Sequence, residues 1–307
     1  MKVASIGECM IEFSAAGGGL FARGFGGDTL NTALYLSRLG IATSYVTALG
    51  DDSLSESMLA AWRAEGIATD EVLRLPGRLP GLYMIERDGR GERSFLYWRD
   101  RAPAREFFDR VDDGALERLS GFDLLYFSGI SLSLYGDTGR ARLHELLMAV
   151  RRNGGRIAFD GNYRPRGWRD AATARRAFAE VLPLVDLALP TLGDEQALFG
   201  DADAAECIAR LRTAGIEEIV VKRGGLGCLI MAGGDCVDVP PAKTVQPVDT
   251  TAAGDSFNAG YLAARLRGAS AVEAARAGHR LAGVVIMSPG AVIPREAMPK
   301  DIEGASL

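Results

Sequence analysis

The chain has 307 residues, 48% of them hydrophobic and 24% charged, with a formal net charge of -5 at pH 7. That length buries a large core, and an α/β fold of this size is often one domain. The acidic balance argues against nucleic acid as a partner, because no basic excess exists to neutralise phosphates, and no stretch is long and apolar enough to span a bilayer.

Residues 2–7 read as a short strand, and the apolar run before Glu8 is too short for a signal peptide, so a cytoplasmic location is expected. Ile11 to Phe13 begins a second strand before the glycine-rich stretch 17–27. The segment Gly-Gly-Asp-Thr-Leu-Asn at 26–31 then opens a helix closed by Gly40. By itself the glycine pair signals a turn; at a helix start it would let backbone, Asp28 and Asn31 face a ligand.

Strand-like runs alternate with helical ones beyond this point: strand 42–49, helix 53–65, strand 123–128, helix 138–152, strand 156–160, helix 171–182, strand 185–189, helices 194–199 and 203–214, and strand 217–222. The alternation predicts a mainly parallel sheet with helices on both faces, whose ligands gather at the carboxyl ends of the strands. Three polar segments fall at such ends: 159–165, 189–195 and 222–227. The alternation breaks at Leu82–Glu86 and Arg93–Arg99, two strands joined by an Asp-Gly turn. With residues 9–23 they predict a small β lid over the main sheet.

The segment 249–258, Asp-Thr-Thr-Ala-Ala-Gly-Asp-Ser-Phe-Asn, carries the chemistry. Ala252, Ala253 and Gly254 let backbone N–H groups approach a ligand closely, and from Asp255 onward Phe257, Tyr261, Leu262 and Leu266 suit one helix face. An open helix N-terminus is an anion site. Asp255 beside it reads either as a helix cap, the more common role, or as a general base for a substrate hydroxyl. Cys9, Cys207, Cys228 and Cys236 lack metal or redox spacing, so reduced thiols are expected. With only His144 and His279 present, a zinc site or serine-type triad is disfavoured.

Taken together, these pieces resemble the ribokinase-like (PfkB-type) carbohydrate kinases over nearly the whole chain. Gly26-Gly27 with Asn31 resembles the N-terminal signature of that family, and residues 249–255 with Phe257 and Gly260 resemble its C-terminal one. The resemblance implies one ribokinase-like domain over 1–307 with lid segments at about 9–23 and 81–102. It makes Asp255 the base and Ala252, Ala253 and Gly254 the anion turn. Gly-Gly-Asp-Thr-Leu-Asn at 26–31, Tyr97-Trp98-Arg99, residues 160–165 and Gly290–Pro294 are similar to members that phosphorylate the terminal hydroxyl of a 2-keto-3-deoxy sugar acid such as 2-keto-3-deoxygluconate.

Substrate contacts implied by the likeness are Gly27, Asp28, Asn31, Tyr83, Tyr97, Arg99, Arg164 and Asp255, with Arg99 forking onto the carboxylate. ATP contacts implied are Asn162, Arg164, Lys222, Gly224, Gly227, Ala252 and Gly254, with Mg2+ approached through water by Asp194. Some relatives also bind a monovalent cation near the position of Asp249. Two departures from the family pattern stand out. Ala252 replaces a glycine, which is tolerable at negative φ and damaging at positive φ. Thr191 and Asp194 replace an Asn-x-x-Glu motif. Rival readings are a kinase for fructose or for the galacto epimer of the acid, and a non-catalytic sensor. Trp98 and Tyr97 read equally as lid cover or as ligand contacts, and the lid hairpin is expected to expose apolar residues such as Phe95 on one side, so that pairing of two lids would give a dimer or larger assembly.

Overall fold

A computed structural model describes residues 1–87 and 93–299. Its strands are β1 (Lys2–Ile6), β2 (Met10–Gly17), β3 (Leu20–Gly26), β4 (Ala42–Leu49), β5 (Val72–Arg74), β6 (Leu82–Arg87), β7 (Arg93–Trp98), β8 (Leu124–Ser128), β9 (Arg156–Asp160), β10 (Leu187–Ala188), β11 (Glu218–Lys222), β12 (Cys228–Ala232) and β13 (Asp235–Val239). Its helices are α1 (Asp28–Arg38), α2 (Ser53–Ala64), α3 (Phe107–Arg110), α4 (Asp113–Ser120), α5 (Gly129–Leu134), α6 (Asp137–Arg152), α7 (Ala171–Val181), α8 (Leu192–Phe199), α9 (Ala204–Thr213), α10 (Ala253–Leu266) and α11 (Ala271–Val285).

Among the described residues, nine strands form one sheet in the order β13-β12-β11-β10-β9-β8-β1-β4-β5. Pairing is parallel from β11 across to β5, and only the β12–β13 edge is antiparallel. Strands buried on both faces read as continuous apolar runs, as in Leu124-Leu125-Tyr126-Phe127. Alternate residues serve opposite layers. Leu125 and Phe127 join a core with Phe108, Phe159 and Phe178, whereas Tyr126 joins one with Tyr35, Trp62 and Tyr261. Caps set several helix starts: Asp52 accepts from the N–H groups of Leu54 and Ser55, and Ser270 with Glu273 forms a capping box on α11. Gly40, at φ 76, closes α1.

The expected strand 185–189 pairs on both sides only at Leu187–Ala188, although Asp186 and Leu189 still donate to Ile157 and Phe159 of β9. Sequence reasoning supplied no element for β12, β13 or α11. β13 is mostly exposed and so lacks an apolar run, and the buried positions of α11 are largely alanine and glycine, which give a weak periodic signal.

The lid is a separate four-stranded sheet in the order β3-β2-β6-β7, with β2 and β6 parallel. The segment 88–92, where the Asp-Gly turn is expected, lies outside the described residues. Register sets Tyr83 opposite Tyr97 and Leu82 opposite Trp98, so Tyr83, Tyr97 and Arg99 share one face and Trp98 occupies the other. Phe95 departs from expectation. It is half-buried against Met10, Tyr83 and Ile85, and the exposed large apolar side chains among the described lid residues are Leu20, Phe21, Leu96, Tyr97 and Trp98.

Candidate active site

The polar centre of the molecule lies where β1, β8, β9, β10 and β11 end and α1 and α10 begin. This is the crevice beside the point at which strand order reverses around β1. Helices α1 and α10 pack on each other, which brings their first turns together. Gly27 precedes α1 with extended backbone (φ -179), so left-handed geometry is not what requires it. A Cβ there would lie 2.1 Å from the Glu8 carbonyl oxygen, and that close approach admits only glycine.

Asn31 donates from Nδ2 to Asp255 Oδ2 at 2.8 Å, and Thr32 Oγ1 donates to the Asp255 carbonyl at 3.3 Å. Asn162 donates from Nδ2 to Asp28 Oδ2 at 2.7 Å. Asp28, Asn31, Asn162 and Asp255, all singled out from sequence, therefore form one cluster. Burial, reinforced by the nearby Asp28 charge, pushes the Asp255 pKa up to about 8, against the opposing Asn31 hydrogen bond. Burial also raises Asp28, opposed by hydrogen bonds from Ser128 and Asn162.

Helix α10 begins at Ala253, two residues earlier than the pattern predicts, and its N-cap Ala252 makes no side-chain cap bond. Asp255 lies inside the first turn, and its hydrogen bond from Asn31 ties it to another helix. Ala252 adopts φ 58, the left-handed conformation that the sequence flagged as damaging for a residue with a Cβ. The only other described non-glycine residue at positive φ is Asn162, at φ 35, on the facing loop. Strain concentrated on two loops around one cleft is characteristic of functional sites.

Behind the turn, Lys222 Nζ donates to Asp160 Oδ2 at 2.9 Å and to Asn258 Oδ1 at 3.0 Å. Asn258 Nδ2 in turn donates to Asp160 Oδ2 at 2.6 Å and to the Tyr126 hydroxyl at 3.0 Å. Asn258 is fully buried, so each of these bonds is needed to offset desolvation of its amide. The Lys222 ammonium stands 3.4 Å from the position a Cβ on Gly254 would take, placing a cation beside the anion turn.

A groove of about 400 Å3 opens from this point. Gly224, Gly225 and Gly227 form one side, the 243–247 loop another, and His279, Ala282, Gly283 and Ile286 of α11 and its end a third, with Thr250, Gly254 and Phe257 at the inner end. Gly227 combines φ 86 with a Cβ position 2.3 Å from the Val239 carbonyl oxygen, so only glycine fits that turn. The mostly apolar walls suit a flat heterocycle, and the inner end suits phosphates.

Asp194 departs from a simple metal-facing role, because both its oxygens accept from Arg164 Nη1, at 3.0 and 3.1 Å. Arg99 likewise is already partnered: its guanidinium forms an ion pair with the buried carboxylate of Glu8. The Tyr83 hydroxyl donates to Glu12 and lies against Gly26 at the start of α1. Thus Tyr83, Tyr97 and Arg99 stand on the lid and connect to the cluster through Glu8 and Gly26. Asp249 accepts from the Thr251 N–H at 2.9 Å and the Gly290 N–H at 2.7 Å, tying the turn to the chain after α11.

Sequence reasoning gave no individual role to Glu8, Glu12, Asp160, Asn258 or His279, although Asp160 and Asn258 fall within segments it singled out. A signal existed for two of them: Glu8 is a charge directly after an apolar strand, and Asn258 is polar within an otherwise apolar helix face. The partners of both are distant in sequence, and no local pattern reveals them.

Residues 1–298 match the family described as pfkB family carbohydrate kinase. A 2-dehydro-3-deoxygluconokinase of Escherichia coli (strain K12) is 49% identical over 306 residues, covering 97% of this chain and 99% of that protein. One from Dickeya dadantii (strain 3937) is 49% identical over 306 residues, covering 97% and 98%. Among solved structures, fructokinase with bound ATP from Xylella fastidiosa superposes with a TM-score of 0.84 at 23% identity, covering 97% of this chain and 95% of that one.

Two stability measurements follow from the geometry. A carboxyl whose pKa rises from 3.8 unfolded to about 8 folded binds its proton more tightly in the native state, so its contribution to stability falls as pH rises between those values. Asp255→Asn should therefore melt close to wild type near pH 4 and several degrees above it near pH 8; a pH-independent difference in melting temperature would contradict the raised pKa. Ala252→Gly relieves the positive φ and is expected to add about 1 kcal/mol in a denaturant titration with unchanged slope. A loss of stability would contradict the left-handed geometry.

Proposed function

The chain belongs to the pfkB family of carbohydrate kinases, and from that premise we propose that it transfers the γ-phosphoryl group of ATP to the terminal hydroxyl of 2-keto-3-deoxygluconate, giving 2-keto-3-deoxy-6-phosphogluconate. The observation that carries this reading is Asp255: a desolvated carboxylate in the first turn of an uncapped helix, held by Asn31 from a second helix start. A cap would satisfy the helix's own N–H groups. This side chain instead faces the residues that would hold a sugar.

In this reading Asp28 and Asn31 bind sugar hydroxyls, Tyr83 and Tyr97 cover the sugar from the lid, and Arg99 meets the substrate carboxylate. Asp255 takes the proton of the attacking hydroxyl as its oxygen bonds to the γ-phosphorus, and the bond from that phosphorus to the bridging oxygen breaks to release ADP. N–H groups of the 252–255 turn and the Lys222 ammonium balance charge on the transferred group. The groove along Gly224, Gly227 and His279 takes the adenosine, with Asn162 and Arg164 near the phosphates.

The acidic groups fit a magnesium ion, since Asp160 Oδ1 is buried with no hydrogen-bond partner and Asp194, in the first turn of α8, is close enough to feel the Asp160 charge. Asp160, and Asp194 through water, would hold Mg2+, which neutralises phosphate charge when bound. We place this single kinase unit in the cytoplasm, with its small sheet as the lid, and read exposed Leu20, Phe21, Leu96 and Trp98 as the surface on which two chains pair. No described helix is long and apolar enough to cross a membrane. A monovalent cation near Asp249 also belongs to this reading, to be read as potassium stimulation of turnover.

A coupled assay with ATP and 2-keto-3-deoxygluconate, its galacto epimer, fructose and ribose tests the assignment. The keto-deoxy acids should be strongly preferred, with the preference lost in Arg99→Ala. Fructose turnover unaffected by that substitution would sink the acid assignment, and no turnover of any sugar would favour the sensor. Asp255→Asn should lose about 10²–10⁴ in kcat with ATP binding retained. Because the base must be ionised, kcat/KM should rise with pH toward an apparent pKa near 8, and the variant should lose that limb.

A further inference from the structure

Resting on the carboxylate-anchor role of Arg99 just proposed, we propose that Glu8 is a positioning residue that fixes the Arg99 guanidinium for the acid end of the substrate. Glu8 follows β1 and Gly7 at the carboxyl edge of the main sheet, whereas Arg99 follows the last lid strand. Their ion pair therefore joins the two sheets at the base of the lid. The Glu8 side chain is 1% exposed and that of Arg99 20% exposed, so the carboxylate is sealed inside while the guanidinium keeps a solvent-facing edge.

Stability is a poor explanation for such a pair. Removing both charges from water costs several kcal/mol per ion by general estimates, and an apolar pair of similar volume often serves the fold as well or better. Direction is the better explanation. A guanidinium is a rigid planar fork, and the Glu8 carboxylate against Nη2 anchors it by charge, with Nε and Nη2 buried and the exposed remainder of the side chain left to meet a second carboxylate. The same segment also meets the sugar loop, since the Glu8 carbonyl lies against Gly27 immediately before Asp28. Burial raises the Glu8 pKa, and the Arg99 and Arg105 cations oppose that rise. Sequence reading gave Glu8 no functional role, and no hydroxyl or phosphate of the proposed reaction needs it directly.

The test is a kinetic double-mutant cycle on the full chain with Glu8→Gln, Arg99→Ala and the pair, measuring KM for 2-keto-3-deoxygluconate and KM for ATP separately. Glu8→Gln should raise KM for the sugar acid about tenfold or more, the size of a weakened charge-assisted hydrogen bond. It should leave KM for ATP within about twofold and add nothing in the Arg99→Ala background. Glu8→Asp, which restores the charge on a shorter arm, should recover part of the loss, and it carries the cycle if Glu8→Gln does not fold. An unchanged sugar-acid KM in Glu8→Gln, or effects that add fully, overturns the positioning role while leaving the Arg99 anchor intact. An unchanged sugar-acid KM in Arg99→Ala overturns the anchor itself, and this proposal with it.

Discussion

The hydrogen bond from Asn31 to Asp255 joins residues 224 positions apart, and the site depends on it. It requires α1 and α10 to begin at the same place, which in turn requires β1 inside the sheet between β8 and β4 and α10 packed beside α1. It is also the local hydrogen bond that lowers the Asp255 pKa against burial and the Asp28 charge. Three carboxylates, Asp28, Asp160 and Asp255, crowd this end of the sheet around a single lysine, and Lys222 is bonded to only one of them. The site thus sets three buried acids against one lysine, and burial pushes Asp28 and Asp255 toward their neutral forms, an arrangement that favours the arrival of cations and of polar groups such as sugar hydroxyls.

Strain is placed to match. Ala252 and Asn162 occupy left-handed backbone on opposite walls of the cleft. Each adds a local cost that the surrounding packing must offset, and each aims a group that regular secondary structure would not: the N–H groups of the 252–255 turn, and the Asn162 amide toward Asp28. Glycine would relax the first position at the expense of its single conformation. A Cβ at 252 therefore trades stability for a turn of narrower conformational range, which the proposed anion role would use.

The fold was legible where burial is two-sided and continuous. β8, β9 and β11 were placed within a residue because each is a short apolar run followed by a polar segment, and those segments proved to carry Ser128, Asp160 and Lys222 at the strand ends. Elements whose buried faces are small or absent were not legible: α11 buries Ala274, Ala275, Ala277 and Gly278, and β13 buries only Val239. Ala252 shows the same limit on a finer scale. The sequence posed the question of its φ sign, but the answer depends on how α10 is docked.

The lid makes the limit clearest. Tyr83 and Arg99 were singled out in the sequence as candidates, but the acids behind them were not, because Glu8 and Glu12 look from sequence like polar punctuation between apolar strands. In the folded chain each acid grips one lid donor, Glu12 the Tyr83 hydroxyl and Glu8 the Arg99 guanidinium. A donor on a small, thin sheet has little packing to hold its rotamer, and a hydrogen bond or ion pair from the first lid strand or its root supplies what packing does not. Charge on that lid is therefore balanced before substrate arrives. In the proposed reading, recognition of an acid depends on how the guanidinium is aimed more than on the presence of a positive residue, a property carried by two residues 91 positions apart in the sequence.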